Sequence, residues 1–210
     1  MCAEVAIKVL DERRLKLSEI KHLNDPYELM PFDLSDPIIF NAVSKTRDEL
    51  HEKHGILSFS ETWIEPVMWS HYTYSHEGIC LGFDVLEETA QKVKYIKTPL
   101  RFPINDPTLT RETTRDMLST KYKAWEYESE WRIWSDDLRH RDEKTGYCYT
   151  DIDNYQIGLR EIILGARCTL DISKIIDLSS NYPEPINIAK ARQSLREFKM
   201  ELDPNFTDSV

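Results

Sequence analysis

Glu128, Glu130 and Arg132 occupy alternate positions in the run Tyr127-Glu128-Ser129-Glu130-Trp131-Arg132-Ile133-Trp134. Aromatic and β-branched residues dominate this run, and it follows a charged, helix-like stretch, so it reads as a strand. Alternate side chains of a strand share a face. Glu128, Glu130 and Arg132 then point one way, while Ser129, Trp131 and Ile133 point the other. Two carboxylates one pleat apart, beside a guanidinium and among heavy apolar residues, are costly to place near a core. Such a group is either a paired ionic network, with Arg132 neutralising a carboxylate on a neighbouring strand, or a site for chemistry.

Three other constellations carry chemistry-bearing residues. In Ser58-Phe59-Ser60-Glu61, two hydroxyls on one strand face suit the holding of a flat ring and the orienting of a carboxylate; equally, Ser60 suits the capping of the next turn. Met68-Trp69-Ser70-His71-Tyr72-Thr73-Tyr74-Ser75-His76 is a dense aromatic cluster. It reads as core packing with its polar tips satisfied, or as a pocket wall built from His71 and Tyr72. The His71/His76 spacing fits neither the i, i+4 pair of a helical zinc site nor another usual ligand pattern, and no metal is expected. Asn24-Asp25-Pro26 reads as a structural turn, because Asn and Asp bond back to the backbone and Pro26 fixes its own φ.

The elements that must position these residues form a mixed pattern. A short helix is expected over Val5 to Glu12, then an alternating half-exposed strand over Arg13 to Ser18. The Leu23 to Glu28 turn follows. Asp33 to Lys53 is amphipathic and helical, with Gly55 as its stop. Buried strands are expected at Ile56 to Phe59 and Gly78 to Val85. Asp106-Pro107 opens a helical stretch towards Lys123. The Glu128 to Trp134 strand, a polar loop over Asp136 to Thr145 and a strand over Leu159 to Gly165 come next. A helix around Ile172 to Leu178, a turn at Pro183 and Pro185, and strands near Ile186 and Phe198 complete the chain. No repeat or linker interrupts it. The reading is a single α+β domain over residues 1–210, with a mixed or antiparallel central sheet and flanking helices. The apolar runs at Leu57, Ile79, Trp131 and Ile163 are expected in one sheet system, with Trp131 and Ile133 facing its core.

Composition narrows the function. With 210 residues and 40% hydrophobic content, the chain is long enough for one well-buried domain. A formal net charge of −10 argues against a protein built on nucleic-acid phosphates, which needs clustered Lys and Arg. Six glycines form neither G-x-G-x-x-G nor G-x-x-x-x-G-K-[ST], which excludes the usual phosphate cradles. Cys2, Cys80, Cys148 and Cys168 form no C-x-x-C, and Cys80 reads as a core thiol. Without a basic n-region, a long apolar start or a run of roughly 20 apolar residues, a cytoplasmic chain with no membrane partner is expected.

Ordered blocks in the sequence resemble a family called domain of unknown function 2971, found in bacteria and mobile elements. These are Leu15 to Ser18, Asn24 to Glu28, Leu57 to Glu61, Met68 to Tyr72, Glu77 to Asp84, Glu128 to Arg132 and Glu161 to Gly165. The likeness runs over about residues 6–200, and it implies that a first strand with a Tyr-Lys-Tyr-like motif, usual in the family, precedes what is seen here. A second resemblance is to ADP-ribosyltransferases, whose Ser-x-Ser and Glu-x-Glu fall in the order of Ser58-Phe59-Ser60 and Glu128-Ser129-Glu130. It implies an NAD-using toxin or defence effector. Glu130 would stabilise an oxocarbenium-like transition state at the nicotinamide ribose, and Glu128 would orient or deprotonate an acceptor. Ser58 would position Glu130 and Tyr72 would face the nicotinamide, with Ser60, His71 and Arg132 also on the NAD. The acceptor would be a protein or nucleic acid, and an antitoxin a further partner. The early arginine of that pattern falls on Arg13 or Arg14, neither clearly in the matching strand. Two other classes fit the same residues: a non-enzymatic regulatory or sensor domain of a bacterial defence or toxin module, and a hydrolase or nuclease holding a divalent metal on Glu128, Glu130 and Asp84.

Overall fold

The computed structural model of the chain describes residues 1–103, 110–136, 138 and 141–207. Its helices are α1 (Ala3–Glu12), α2 (Pro37–Lys53), α3 (Pro66–Tyr72), α4 (Arg111–Ser119) and α5 (Ile172–Ser179). The first six strands are β1 (Arg14–Lys16), β2 (Ser18–Glu19), β3 (Gly55–Ser60), β4 (Ile79–Asp84), β5 (Gln91–Lys92) and β6 (Lys94–Ile96). The other six are β7 (Thr120–Tyr122), β8 (Glu130–Ser135), β9 (Tyr149–Asp151), β10 (Gly158–Leu164), β11 (Asn187–Gln193) and β12 (Met200–Leu202). The fold is α+β, with mixed and antiparallel sheets and flanking helices. Two compact units are each assembled from separated stretches of chain.

One unit comprises Met1–Leu15, Thr62–Leu86 and Asp151–Val210. Its sheet has the order β12-β11-β10-β4. β10 and β11 are parallel and are joined through α5, the helical crossover that a parallel pair requires. The central strand β10 is buried on both faces, which is why Ile162-Ile163-Leu164 reads as an unbroken apolar run. Ile162 and Leu164 pack with Ala6, Leu10, Ile79 and Ile175, whereas Ile163 packs with Trp69, Ala191 and Met200. Gly165 ends the strand where a Cβ would lie 2.2 Å from the His76 carbonyl oxygen, so only glycine fits.

The second unit comprises Lys16–Glu61 and Glu87–Thr150. Its sheet, β2-β3-β8-β5, is antiparallel throughout, and β6 pairs with β7 in parallel beside it in sequence. The Asp36 side chain accepts from the Ile38 N–H at 2.7 Å and Pro37 occupies the first turn, which together start α2. The core gathers Ile20, Leu29, Phe32, Val43, Ile56, Phe102 and Met117. Burying each such side chain contributes roughly 1.5–3 kcal/mol.

Several expectations are corrected. The four apolar runs do not share a sheet: those at Leu57 and Trp131 lie in β3 and β8, those at Ile79 and Ile163 in β4 and β10. The strand expected from Glu128 begins at Glu130, because Lys123–Glu128 forms a 3₁₀ helix and Ser129 adopts a left-handed conformation with φ of 43°. α2 begins at Pro37 rather than Asp33, since the cap is Asp36. The strands expected near Ile186 and Phe198 are present as β11 and β12, with Phe198 itself just before β12 and fully exposed. Asp106-Pro107 and part of the Asp136 to Thr145 loop lie outside the described residues; α4 starts at Arg111, capped by Thr110.

Candidate functional site

The group around Arg132 lies wholly within the second unit. Three local structures aim acidic and basic side chains inward. In the Asn24 to Glu28 turn, the Tyr27 N–H donates to the Asp25 carboxylate at 2.9 Å and the Glu28 N–H donates to the Asp25 carbonyl at 3.1 Å. This turn delivers Glu28 to the interior. On β8 the strand alternation places Glu130 and Arg132 on one face. At the end of the 3₁₀ helix the left-handed Ser129 breaks the chain direction, so Glu128 is buried without being on the strand.

Arg132 is 1% exposed, and all five of its N–H donors are accounted for. Nε and Nη2 donate to the two Glu130 oxygens at 2.8 and 2.9 Å. Nη1 and Nη2 donate to the two Glu28 oxygens at 2.7 and 3.0 Å. Nη1 also reaches the Leu118 carbonyl at 3.3 Å. Lys121 closes the cluster from β7, with its Nζ 2.5 Å from Glu128 Oε2 and 3.0 Å from Glu130 Oε2. The same ammonium lies 5.0 Å from the Trp125 ring centroid. Tyr95, paired with Lys121 in register, accepts the Glu130 backbone N–H on its hydroxyl at 2.8 Å.

Three carboxylates face two cations. Burial opposes ionisation of Glu130, but Arg132 and Lys121 more than offset it and hold the carboxyl below its ordinary range. Burial likewise opposes the charged forms of Arg132 and Lys121, and their acidic neighbours outweigh it, so both are held more firmly protonated. At Glu28 burial prevails and pushes the carboxyl up against the pull of Arg132, so the surplus negative charge is nearest to protonation there. Burial pushes the Tyr95 phenol up to about 12, leaving it a neutral hydroxyl.

Such geometry suits rigidity better than turnover. A carboxylate that stabilises an oxocarbenium needs an oxygen free to face the ribose. Both Glu130 oxygens already accept from Arg132, and one also accepts from Lys121. Glu128 is 4% exposed and held by the same lysine. Among the described residues no group of three His, Cys, Asp or Glu is placed to hold a metal ion.

The structure brings together only part of the group expected from sequence. Glu130 and Arg132 meet directly, and Glu128 joins through Lys121. Across the sheet, Ser60 stands opposite Glu130 and Ser58 opposite Arg132, and so on the same face. Ser58 is nonetheless exposed, and among the described residues no hydrogen bond joins it to Glu130. His71 and Tyr72 belong to the other unit, at the end of α3, as an exposed edge-to-face pair with centroids 6.2 Å apart. Glu28, Lys121 and Tyr95 are absent from the sequence-derived set. The signal for Glu28 was an acid directly before the apolar Leu29-Met30 in a turn; Lys121 and Tyr95 carried none.

Residues 68–133 match the family described as Protein of unknown function (DUF2971). This stretch takes in the Met68 to Tyr72 and Glu128 to Arg132 blocks, and so Lys121, Glu128, Glu130 and Arg132, but not Glu28. It is shorter than the likeness over residues 6–200 read from the sequence. No curated protein and no solved structure matches the chain. Nothing in these comparisons supports the likeness to ADP-ribosyltransferases. Among the described residues no helix is long and apolar enough to cross a membrane.

Proposed function

We propose that the chain is a non-enzymatic regulatory or sensor domain, suited to a bacterial defence or toxin module, in which the Glu28–Arg132–Glu130–Lys121–Glu128 cluster is a frame. One observation carries this reading: every N–H of Arg132 is committed, and both oxygens of Glu130 are taken by cations. Such a network fixes the turn at Glu28, the end of α4 and the strands β7 and β8 relative to one another. Its worth lies in geometric specificity more than in net stability, because desolvating the charges consumes most of their attraction.

An NAD-cleaving activity is the second reading. It draws support from the register of β3 against β8, which sets Ser60 opposite Glu130. That activity requires Arg132 to release at least one Glu130 oxygen when NAD arrives. Incubating the purified chain with NAD labelled in the nicotinamide and adenylate moieties separates the two. The frame reading expects neither nicotinamide release nor label transfer. Turnover by the native chain that disappears in Glu130→Gln, with the fold intact by circular dichroism, would overturn it.

A further inference from the structure

Beside the edge strand β5, the Trp131 side chain, which points away from the Arg132 face of β8, borders an open depression of about 580 Å³. Glu87, Ala90, Gln91, Lys92, Arg115 and Trp131 line it. The indole is half-buried and held in place by two neighbours. Lys92 lies 5.3 Å from its ring centroid, and Glu61 lies 3.5 Å from the indole Nε1 while pairing with Lys92 at 2.6 Å. An aromatic plane fixed in this way needs little further ordering before a second flat ring stacks on it.

The charges around the depression are not equivalent. Lys92 is neutralised by Glu61. Arg115 projects from α4, is exposed, and makes no ion pair among the described residues. An uncommitted guanidinium beside a fixed indole is the pairing that recognises a planar group carrying a phosphate or carboxylate, because the guanidinium binds either anion through two parallel hydrogen bonds.

We infer that this depression binds a small planar aromatic anion, with its ring on Trp131 and its anionic group on Arg115. The inference rests on reading the chain as a binding domain and gives that domain its ligand class. Nucleotides and aromatic carboxylates both meet the description. Isothermal titration with AMP and with salicylate, using adenosine and inorganic phosphate as controls, distinguishes the sources. Either anion should saturate one site and bind at least about tenfold more tightly than both controls, the effect of one charge-assisted contact. Preference for AMP identifies a nucleotide, and preference for salicylate an aromatic carboxylate. Arg115→Gln, at an exposed helix position, should weaken that binding by about tenfold or more with an unchanged melting temperature. Trp131→Leu should abolish it, with circular dichroism as the check on its fold. If neither anion binds more tightly than the controls, or Arg115→Gln binds as the native chain does, the inference fails. Absent binding together with absent NAD turnover removes the ligand assignment alone, whereas NAD turnover removes the non-enzymatic reading whatever binds here.

Discussion

Replacing Arg132 by Met removes the guanidinium while keeping much of its length. Arg132 is 1% exposed, and its loss leaves Glu28 and Glu130, each 5% exposed, with no bidentate partner. Lys121 would then be the sole cation among three buried carboxylates. Removing one member of a buried pair costs about 3–5 kcal/mol, because the remaining charge stays desolvated. Total stability is of order 5–15 kcal/mol, so Arg132→Met should lower the urea midpoint strongly and leave the chain close to unfolding at 37 °C. The triple variant Glu28→Gln/Glu130→Gln/Arg132→Met removes the uncompensated charge and should recover most of the loss. A cycle between Glu28→Gln and Arg132→Met should show a coupling of at least about 1 kcal/mol. Urea denaturation followed by circular dichroism gives all of these values. A cost below about 1 kcal/mol for Arg132→Met, the range of an exposed ion pair, would refute the buried-frame account.

Other perturbations are read in the same way. Asp25→Ala removes the bond to the Tyr27 N–H but also a buried Oδ2 with no partner among the described residues, so chemical denaturation should show a cost of no more than about 1 kcal/mol. Arg141 grips both Glu19 oxygens at 2.9 and 3.0 Å and, with Lys21, holds that carboxyl down at about 2 from an ordinary value of 4.5. Because the folded value is depressed, this stability is full above pH 4.5 and is lost as pH falls towards 2. Melting temperatures of Glu19→Gln measured across that window should show a shallower acid decline than the native chain, and a parallel decline would count against the pairing. Gly165→Ala places a methyl 2.2 Å from the His76 carbonyl, where backbone must move, and should cost about 2–3 kcal/mol by urea melt. Burial depresses the His76 imidazole, and its Nδ1 has no partner among the described residues, so folded His76 resists protonation. Stability should therefore fall as pH drops below 6.5, and His76→Gln should flatten that slope in pH-dependent melts.

The fold class and most strands were legible because short apolar runs bounded by turn residues report strand burial directly. Their partition between two sheets was not, since the runs at Leu57 and Ile163 have the same local pattern while their partners lie far along the chain. The shared face of Glu130 and Arg132 followed from strand periodicity alone. Glu128 was misplaced because a left-handed serine has no strong sequence signal; glycine or asparagine is the usual marker of that conformation. Glu28 was read as part of a structural turn, which it is, but its second role depends on Arg132, 104 residues away. Long-range ionic pairing leaves no periodic trace, so the acids were visible and their neutralising partners were not. Ser58 shows the converse: its type and register suit a site, yet its side chain faces water.

Whether the buried cluster is a fixed frame is read at the Arg132 guanidinium itself. Nitrogen-15 NMR of the arginine side chains reports whether its N–H groups are fixed or rotate freely in solvent. A fixed frame gives separately resolved, slowly exchanging Nε and Nη signals for Arg132, assigned by their loss in Arg132→Met, and no change on adding NAD. Averaged, fast-exchanging signals like those of a surface arginine, or signals released when NAD is added, would contradict it.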